Sequence, residues 1–261
     1  MNRASAPSPR IFRLAPIPFL ALLVGLAPEE GPKATAEPAA IVESSDSFES
    51  HGKTIEVERF EPQAPGKHPV VLVLHGSGGM HVGGFMFRQM ARDLAARGYV
   101  AVLPHYFDRT GTTIADIKQM VERFKDWMET IGDATTYAAS LPNADADRVA
   151  FVGFSLGGYL SLSNATFDPR VKAVVEYFGG LPDPLADRAG KLPPTLILHG
   201  DADPIVPVSE ARELEDRLKA HGIAYEMTIF PGAGHGFLNQ TGRDASRQTI
   251  EFLGKHLGRQ P

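Results

Sequence analysis

The sequence predicts one doubly wound α/β domain, in which helices cover both faces of a mostly parallel sheet. Short runs of β-branched and aliphatic residues alternate along the chain with longer stretches of helical periodicity. Most of these runs are continuously apolar, which is typical of strands buried on both faces of a parallel sheet. The chain has 261 residues, 43% of them hydrophobic, and this size suits a single core.

The N-terminal segment, residues 1–36, is predicted to be a signal peptide that is removed. Three arginines precede an apolar stretch over 17–27, which is shorter than the roughly 20 residues of a bilayer-spanning helix. Ala34-Thr35-Ala36 supplies the small-x-small pattern of a cleavage site. We therefore expect an exported protein, periplasmic or secreted, without stable membrane insertion after processing. An uncleaved leader that tethers the protein is the alternative.

The remaining elements are predicted in chain order. Residues 37–47 are interpreted as a polar lead-in and residues 48–258 as the folded domain. A hairpin is expected within 48–60, turning at His51-Gly52-Lys53. The alternation that follows predicts strands over 70–74, 99–103, 149–154, 171–177, 195–198 and 226–230, and helices over 85–97, 113–140, 156–165, 207–220 and 245–257.

Local residue chemistry sets several of these boundaries. Gly98 ends the first helix, and Pro104 stops the strand over 99–103. The long helix over 113–140 carries apolar side chains along one side at helical spacing, and Gly132 is a candidate break in it. The repeated strand–helix order predicts crossover connections and hence a parallel sheet.

The composition and the absence of certain motifs exclude several classes of chemistry. Without cysteine, the chain has no disulfide, zinc–thiolate site, iron–sulfur cluster or thiol nucleophile. A net charge of −5 argues against general nucleic-acid binding. The dinucleotide fingerprint that begins at Gly76 is broken by His81, and no triphosphate-binding loop or metalloprotease motif occurs. We expect neither a cofactor nor a metal.

Chemically useful residues follow several of the predicted strands. In open α/β sheets, ligands bind beyond the carboxyl ends of the strands. Because the strands are parallel, we expect these ends to converge at one edge of the sheet. The segments concerned are 75–79 (HGSGG), 153–158 (GFSLGG), 199–204 (HGDADP) and 231–237 (PGAGHGF).

Ser155 lies in a G-x-S-x-G pentapeptide between a predicted strand and a predicted helix. A sharp strand-to-helix turn exposes the serine hydroxyl, and the flanking glycines leave room for the strained backbone. The N-terminus of the following helix favours negative charge at the same point. This pattern predicts a nucleophilic serine; a tight turn with a surface serine is the structural alternative.

A serine nucleophile needs a base and an orienting acid. His235, in a glycine-rich loop, is the predicted base, and Asp203 is chosen over Asp201 as the acid. The backbone N–H groups of Leu156 and Ser77 are the predicted oxyanion donors. The structural alternatives are a surface loop histidine, an aspartate that caps a turn, and a flexible turn over 75–79.

Two further interpretations concern the surroundings of this site. His199, Asp201 and Asp203 could gather a cation, although the acid role of Asp203 is preferred. Arg109 is a candidate receptor for an anionic group, with a surface pair to Asp108 as the alternative. Met80 and Phe237 are candidate pocket residues, and Met80, Phe85, Met86 and Phe87 either line an acyl pocket or cover the core.

The chain order Ser155, Asp203, His235 is that of α/β-hydrolases. With the phrases GFSLGG, HGDADPIVP and GAGHGF, the chain from about residue 48 to 258 resembles the dienelactone hydrolase family of that superfamily. The resemblance implies the α/β-hydrolase fold with an eight-strand-type sheet, and hydrolysis of lactones or small esters without a cofactor. It also implies that Ser155 is the nucleophile, Asp203 the orienting acid and His235 the base.

Three positions depart from the family pattern. Ser155 stands where typical members have a cysteine, and His75-Gly76 stands where they have a glutamate that helps ready the thiol. Asn239 replaces an arginine that helps to hold the dienelactone carboxylate. These departures, together with the predicted leader, indicate an exported relative that acts on a different ester.

The sequence therefore predicts a serine carboxylic-ester hydrolase that cleaves small-molecule esters or lactones through an acyl-enzyme, as a monomer or homodimer. A serine peptidase or acyl-transfer enzyme of the same fold is one alternative. A non-catalytic envelope binding protein built on a hydrolase scaffold is the other.

Overall fold

The computed structural model describes residues 40–258 and confirms the predicted fold class. A single eight-stranded sheet has the order β1-β2-β4-β3-β5-β6-β7-β8. β2 runs antiparallel to both of its neighbours, and all the other neighbouring pairs are parallel. The strands are β1 (Ile41–Ser50), β2 (Lys53–Pro62), β3 (His68–Leu74), β4 (Val100–Pro104), β5 (Ala144–Phe154), β6 (Val171–Tyr177), β7 (Thr195–Gly200) and β8 (Tyr225–Phe230).

Five α-helices cover the two faces of this sheet. They are α1 (Gly84–Ala95), α2 (Ile117–Ala139), α3 (Leu156–Ala165), α4 (Ser209–Ala220) and α5 (Asn239–Leu257). Helices α1 and α5 pack on one face, and α2, α3 and α4 pack on the other. Within β3, Val70, Leu72 and Leu74 face one core layer while Val71 and Val73 face the other, as the continuous apolar run predicts.

The hairpin is longer than predicted. β1 begins at Ile41, so most of the predicted lead-in over 37–47 forms a strand that pairs with β2. Most of its side chains are exposed, because an edge strand has a neighbour on one side only and tolerates polar residues. The polar composition of β1 gave no sign of a strand in the sequence. The folded domain begins before residue 48, so the predicted start there is wrong. The predicted signal peptide lies outside the described residues.

The observed helix boundaries differ from the predicted ones, because hydrophobic periodicity does not show which side chains cap a helix. α2 begins at Ile117 rather than 113, because Asp116 caps it and Gln119 completes a reciprocal capping box. The helix runs unbroken through Gly132, so the candidate break there is wrong. α5 begins at Asn239, six residues before the predicted start at 245. No helix within residues 40–258 has both the length and the apolar character needed to cross a membrane.

Candidate active site

Ser155 occupies a strained turn between β5 and α3. Its backbone has φ 54° and ψ −116°, an unusual conformation for a residue other than glycine. The Ser155 N–H donates to the carbonyl of Tyr177 at 2.9 Å, which ties the turn to the end of β6. Such strained positions persist only where the surrounding structure enforces them, and they cluster at functional sites.

The glycines on both sides of Ser155 are required by packing. A Cβ atom on Gly153 would overlap the Gly157 carbonyl and the Ser161 hydroxyl. A Cβ atom on Gly157 would overlap the carbonyls of Leu74 and His75 at the end of β3. The predicted reason for these glycines, room for a close approach of backbone segments, is what the structure shows.

The structure brings Ser155, Asp203 and His235 together. The His235 Nε2 atom lies 2.9 Å from the Ser155 Oγ, and its Nδ1 atom lies 2.7 Å from an Asp203 carboxylate oxygen. The Asp203 side chain is fully buried, and its other oxygen accepts the N–H groups of Ile205 and Val206 at 2.8 and 2.9 Å. This arrangement fixes the Nδ1–H tautomer, leaving Nε2 able to accept the hydroxyl proton.

Asp201 and His199 support this site without joining it. The Asp201 carboxylate accepts the Gly232 N–H at 2.6 Å and so braces the loop that leads to His235. His199 Nε2 donates to the Val206 carbonyl at 2.9 Å and lies 3.7 Å from Asp203, and burial lowers the pKa of His199. Within the described part of the chain, no three acidic or histidine side chains are placed to hold a metal ion. The choice of Asp203 over Asp201 agrees with this geometry.

The segments that carry the two predicted oxyanion donors approach Ser155. Leu156 is the first residue of α3, and no acceptor in residues 40–258 takes its N–H or that of Ser77. A Cβ atom on Gly76 would lie 3.4 Å from the Ser155 Cβ, which shows how closely the loop after β3 approaches the nucleophile. The Ser77 carbonyl accepts the Ala115 N–H at 2.8 Å, which anchors that loop.

His75 holds the base of this loop. Its Nδ1–H donates to the Gly76 carbonyl at 2.9 Å, and its ring stacks on Tyr106 with 3.9 Å between the centroids. The Tyr106 hydroxyl in turn donates to the His75 carbonyl at 2.6 Å. Burial lowers the pKa of His75 to about 3, so the imidazole is neutral at physiological pH. These contacts give His75 a role in packing and in supporting the loop after β3.

Glu176 is a feature of the site that sequence reasoning missed. It is fully buried in β6, and its carboxylate accepts the Gly179 N–H at 2.7 Å. The same oxygen lies 3.5 Å from where a Cβ of Gly158 would stand, so the carboxyl sits just behind the Ser155 turn. Burial, together with the nearby charge of Glu210, raises the pKa of Glu176 to about 8. The available signal was one glutamate inside the apolar run over 171–177.

The candidate pocket residues separate into two groups. A groove of about 580 Å³ between α1 and α5 is lined by Phe85, Met86 and Phe237 among others. Met80 is only partly buried and packs against the core of the same face, and Phe87 belongs to that core. The structure therefore places Phe237 in the groove, while Met80 covers the core.

The Arg109 side chain binds the β1–β2 hairpin. Its guanidinium donates to the carbonyls of Ser50 and His51 in the β1–β2 turn and lies 3.7 Å from Glu129. Asp108 accepts a backbone N–H of β2 instead of pairing with Arg109. The prediction of an anion receptor at Arg109 is not supported, because these contacts commit the side chain to the hairpin.

Comparisons with known proteins agree with this architecture. A family model described as the dienelactone hydrolase family matches residues 55–254. A protein of Escherichia coli (strain K12) named a candidate carboxymethylenebutenolidase is 29% identical over 235 residues, covering 82% of this chain and 85% of its own length.

Two solved structures show the same fold. A candidate dienelactone hydrolase from Klebsiella pneumoniae has a TM-score of 0.73 at 24% identity, with 83% of this chain and 100% of that chain covered. The Pyrococcus horikoshii acylaminoacyl peptidase has a TM-score of 0.67 at 18% identity, with 85% of this chain and 43% of the peptidase covered. At these identities the likeness concerns the fold alone.

Proposed function

The chain belongs to the dienelactone hydrolase family, a family of hydrolases, and from that premise we propose that it is a serine carboxylic-ester hydrolase acting on small esters or lactones. The observation that carries the proposal is His235, hydrogen-bonded at once to the Ser155 hydroxyl and to the buried Asp203 carboxylate. A serine hydroxyl is a weak nucleophile unless a base within hydrogen-bond reach takes its proton. The chain has no cysteine, so serine replaces the thiol of typical family members.

The first half of the reaction forms an acyl-enzyme. The Ser155 Oγ attacks the ester carbonyl carbon while His235 Nε2 takes the hydroxyl proton, and Asp203 stabilises the imidazolium. The Leu156 and Ser77 N–H groups donate to the oxyanion that develops on the carbonyl oxygen. When the tetrahedral intermediate collapses, the carbon–oxygen bond to the leaving alkoxide breaks, and His235 returns its proton to release an alcohol.

The second half restores the enzyme. His235 removes a proton from water, and the resulting hydroxide attacks the acyl carbon of Ser155. The carbon–Oγ bond breaks, the serine recovers its proton from His235, and a carboxylic acid leaves. No redox partner is needed for this sequence, since water supplies both the hydroxyl and the proton.

The direct test is Ser155→Ala with p-nitrophenyl acetate as substrate. We expect kcat/KM to fall by about 10⁴-fold or more, because the nucleophile is lost while the fold remains. A matched control is Ser163→Ala on the same helix, because the buried Ser163 hydroxyl has no hydrogen-bond partner within residues 40–258. That variant should retain the activity of the unmodified enzyme.

Two results would contradict this proposal. One is undiminished ester turnover by folded Ser155→Ala. The other is a well-folded protein that neither cleaves esters nor reacts with a fluorophosphonate probe at Ser155, which would instead support a binding protein. Cleavage of peptide p-nitroanilides with esters left intact would favour the peptidase alternative.

A further inference from the structure

A groove runs along the outer face of the sheet between α1 and α5. Its volume is about 580 Å³, within the roughly 300–1,000 Å³ of typical small-molecule sites. Each helix forms one side of the groove, and aromatic side chains at the ends of the strands form its floor. The floor and inner walls are apolar and are formed by Met86 and Met90 of α1, Phe154, Phe178 and Phe237 of the floor, and Ile250 of α5. Charged side chains of both helices, such as Asp93 and Arg247, also line the groove.

One layer of aromatic rings separates the inner end of this groove from the triad. Phe154 immediately precedes Ser155, and the Phe178 ring lies 4.7 Å from the His235 ring, centroid to centroid. Phe178 also meets Phe237 edge-to-face, with 5.1 Å between the centroids. The inner end of the groove is therefore separated from the imidazole of the proposed base by the Phe178 ring.

The backbone of Phe178 is held in a strained conformation. Its φ is 43°, in the left-handed region that bulky side chains rarely adopt, and its N–H donates to the Leu198 carbonyl at 2.8 Å. A strained backbone of this kind persists where the surroundings enforce it. Its effect here is to place an aromatic ring between His235 and the groove.

The rim of the site is also apolar. Most of the large apolar side chains left exposed in residues 40–258 follow strands at the carboxyl edge, where the triad lies. Examples are Phe85 and Met86 after β3, Ile114 after β4, Ile205 after β7 and Leu238 after β8. Exposed apolar side chains along one edge of the sheet favour the binding of apolar ligands there.

We propose that the groove between α1 and α5 binds a long aliphatic chain of the ester substrate, so that the preferred substrates are carboxylic esters with medium-length aliphatic chains. The inference rests on the proposed function, and it adds the substrate class. In this arrangement the carbonyl lies at Ser155, and the chain extends from it across the Phe178 ring into the groove. Each methylene buried in such a groove is worth roughly fourfold in kcat/KM.

The test is the chain-length profile of the unmodified enzyme. Its kcat/KM is measured for p-nitrophenyl acetate, butyrate, octanoate and decanoate, below the concentrations at which the esters aggregate. We expect octanoate to exceed acetate by about tenfold or more, since several methylenes enter the groove. Acetate turnover that depends on Ser155 but shows no gain with chain length overturns this inference and leaves the proposed function standing. Absence of any ester turnover overturns the proposed function itself.

Two variants locate the effect in the groove. Ser246→Trp fills it from α5 and Met86→Trp fills it from α1, and either should lower the octanoate-to-acetate ratio of kcat/KM by about tenfold. Met86 is 44% exposed, so this variant decides the matter if Ser246→Trp fails to fold. An unchanged ratio in a folded groove variant overturns the inference.

A control tryptophan can be placed in a second cavity on the opposite face of the sheet. Gly132 of α2 lines this cavity of about 710 Å³, and the space around its Cβ position is open. Like the groove, this cavity is lined by apolar and charged side chains, among them Met128, Phe167 and Arg170, but it lies on the face away from α1 and α5. Gly132→Trp should leave the octanoate-to-acetate ratio as it is in the unmodified enzyme. A fall as large as in the groove variants would assign the effect to the added bulk and overturn the inference.

Discussion

Two histidine–carboxylate pairs lie near the carboxyl edge of the sheet, and they differ in what surrounds them. His235 bonds to Asp203 at 2.7 Å, and His105, just after β4, bonds to Glu58 at 2.9 Å. The two imidazoles are similarly buried, with side-chain exposures of 16% and 17%. The burial of the imidazole and the presence of a short hydrogen bond therefore do not distinguish the proposed catalytic pair from the other.

The two pairs differ in what the second imidazole nitrogen contacts and in what holds the carboxylate. His235 presents its second nitrogen to the Ser155 hydroxyl, whereas the second nitrogen of His105 lies 3.6 Å from a Glu56 carboxylate. Asp203 is held by backbone N–H groups, whereas Glu58 is clamped by the Arg88 guanidinium at 2.6 and 2.7 Å. A histidine–carboxylate pair can thus activate a nucleophile only where its second nitrogen faces that nucleophile, as His235 faces Ser155.

The largest predicted effect comes from a substitution that disrupts the His235–Asp203 pair. Asp203→Asn should lower kcat by about 10³–10⁴-fold, because an amide that donates to Nδ1 favours the tautomer whose Nε2 already carries a proton. The measurement is steady-state turnover of p-nitrophenyl acetate, with circular dichroism to check folding. Glu58→Gln is the matched control and should keep kcat within about twofold, because that pair faces no nucleophile. Comparable losses in the two variants would remove the distinction between the pairs.

A third carboxyl, that of Glu176, sharpens the comparison because no cationic side chain within residues 40–258 pairs with it. Burial raises the pKa of Glu176 to about 8, above the ordinary glutamate value of 4.5. The folded protein then keeps a proton that the unfolded chain releases, so stability is fully present below about pH 4.5 and declines as pH rises towards about 8. Glu176→Gln stays neutral and should escape this loss.

The measurement is the free energy of unfolding in urea across that range. We expect the variant to match the unmodified protein near pH 4.5 and to exceed it by about 4 kcal/mol near pH 8. A constant difference across the range would show that the carboxyl does not remain protonated in the folded state.

Much of the fold, and the proximity of Ser155, Asp203 and His235, could be predicted from where the strands end in the sequence. The continuous apolar runs predicted the central strands, and parallel strands bring their carboxyl ends to one edge. That rule placed Ser155, Asp203 and His235 together without any knowledge of the loops between them. The polar strand β1 escaped prediction, because an edge strand can be exposed and polar.

The pocket and the buried charges were not predictable in the same way. Arg109 follows β4 at the expected edge, yet its guanidinium bonds to the carbonyls of Ser50 and His51. Whether a side chain near the edge faces the site or the hairpin depends on packing between distant segments. The groove is likewise formed by α1 and α5, which lie far apart in the sequence.

The smallest predicted effect concerns the stability of the second pair. Burial alone would raise the pKa of Glu58, but the hydrogen bonds from His105 and Arg88 outweigh it and lower that pKa to about 2. Because the folded value lies below the ordinary value of 4.5, the stabilisation is present above about pH 4.5 and is lost as pH falls towards about 2.

Glu58→Gln should therefore cost about 1 kcal/mol near neutral pH, a modest value because Arg88 is partly exposed. Urea unfolding at neutral pH and again near pH 3 should show the difference shrinking. A difference that stays constant would mean that Glu58 contributes through packing, and the contrast with Asp203 would then rest on the hydroxyl of Ser155 alone.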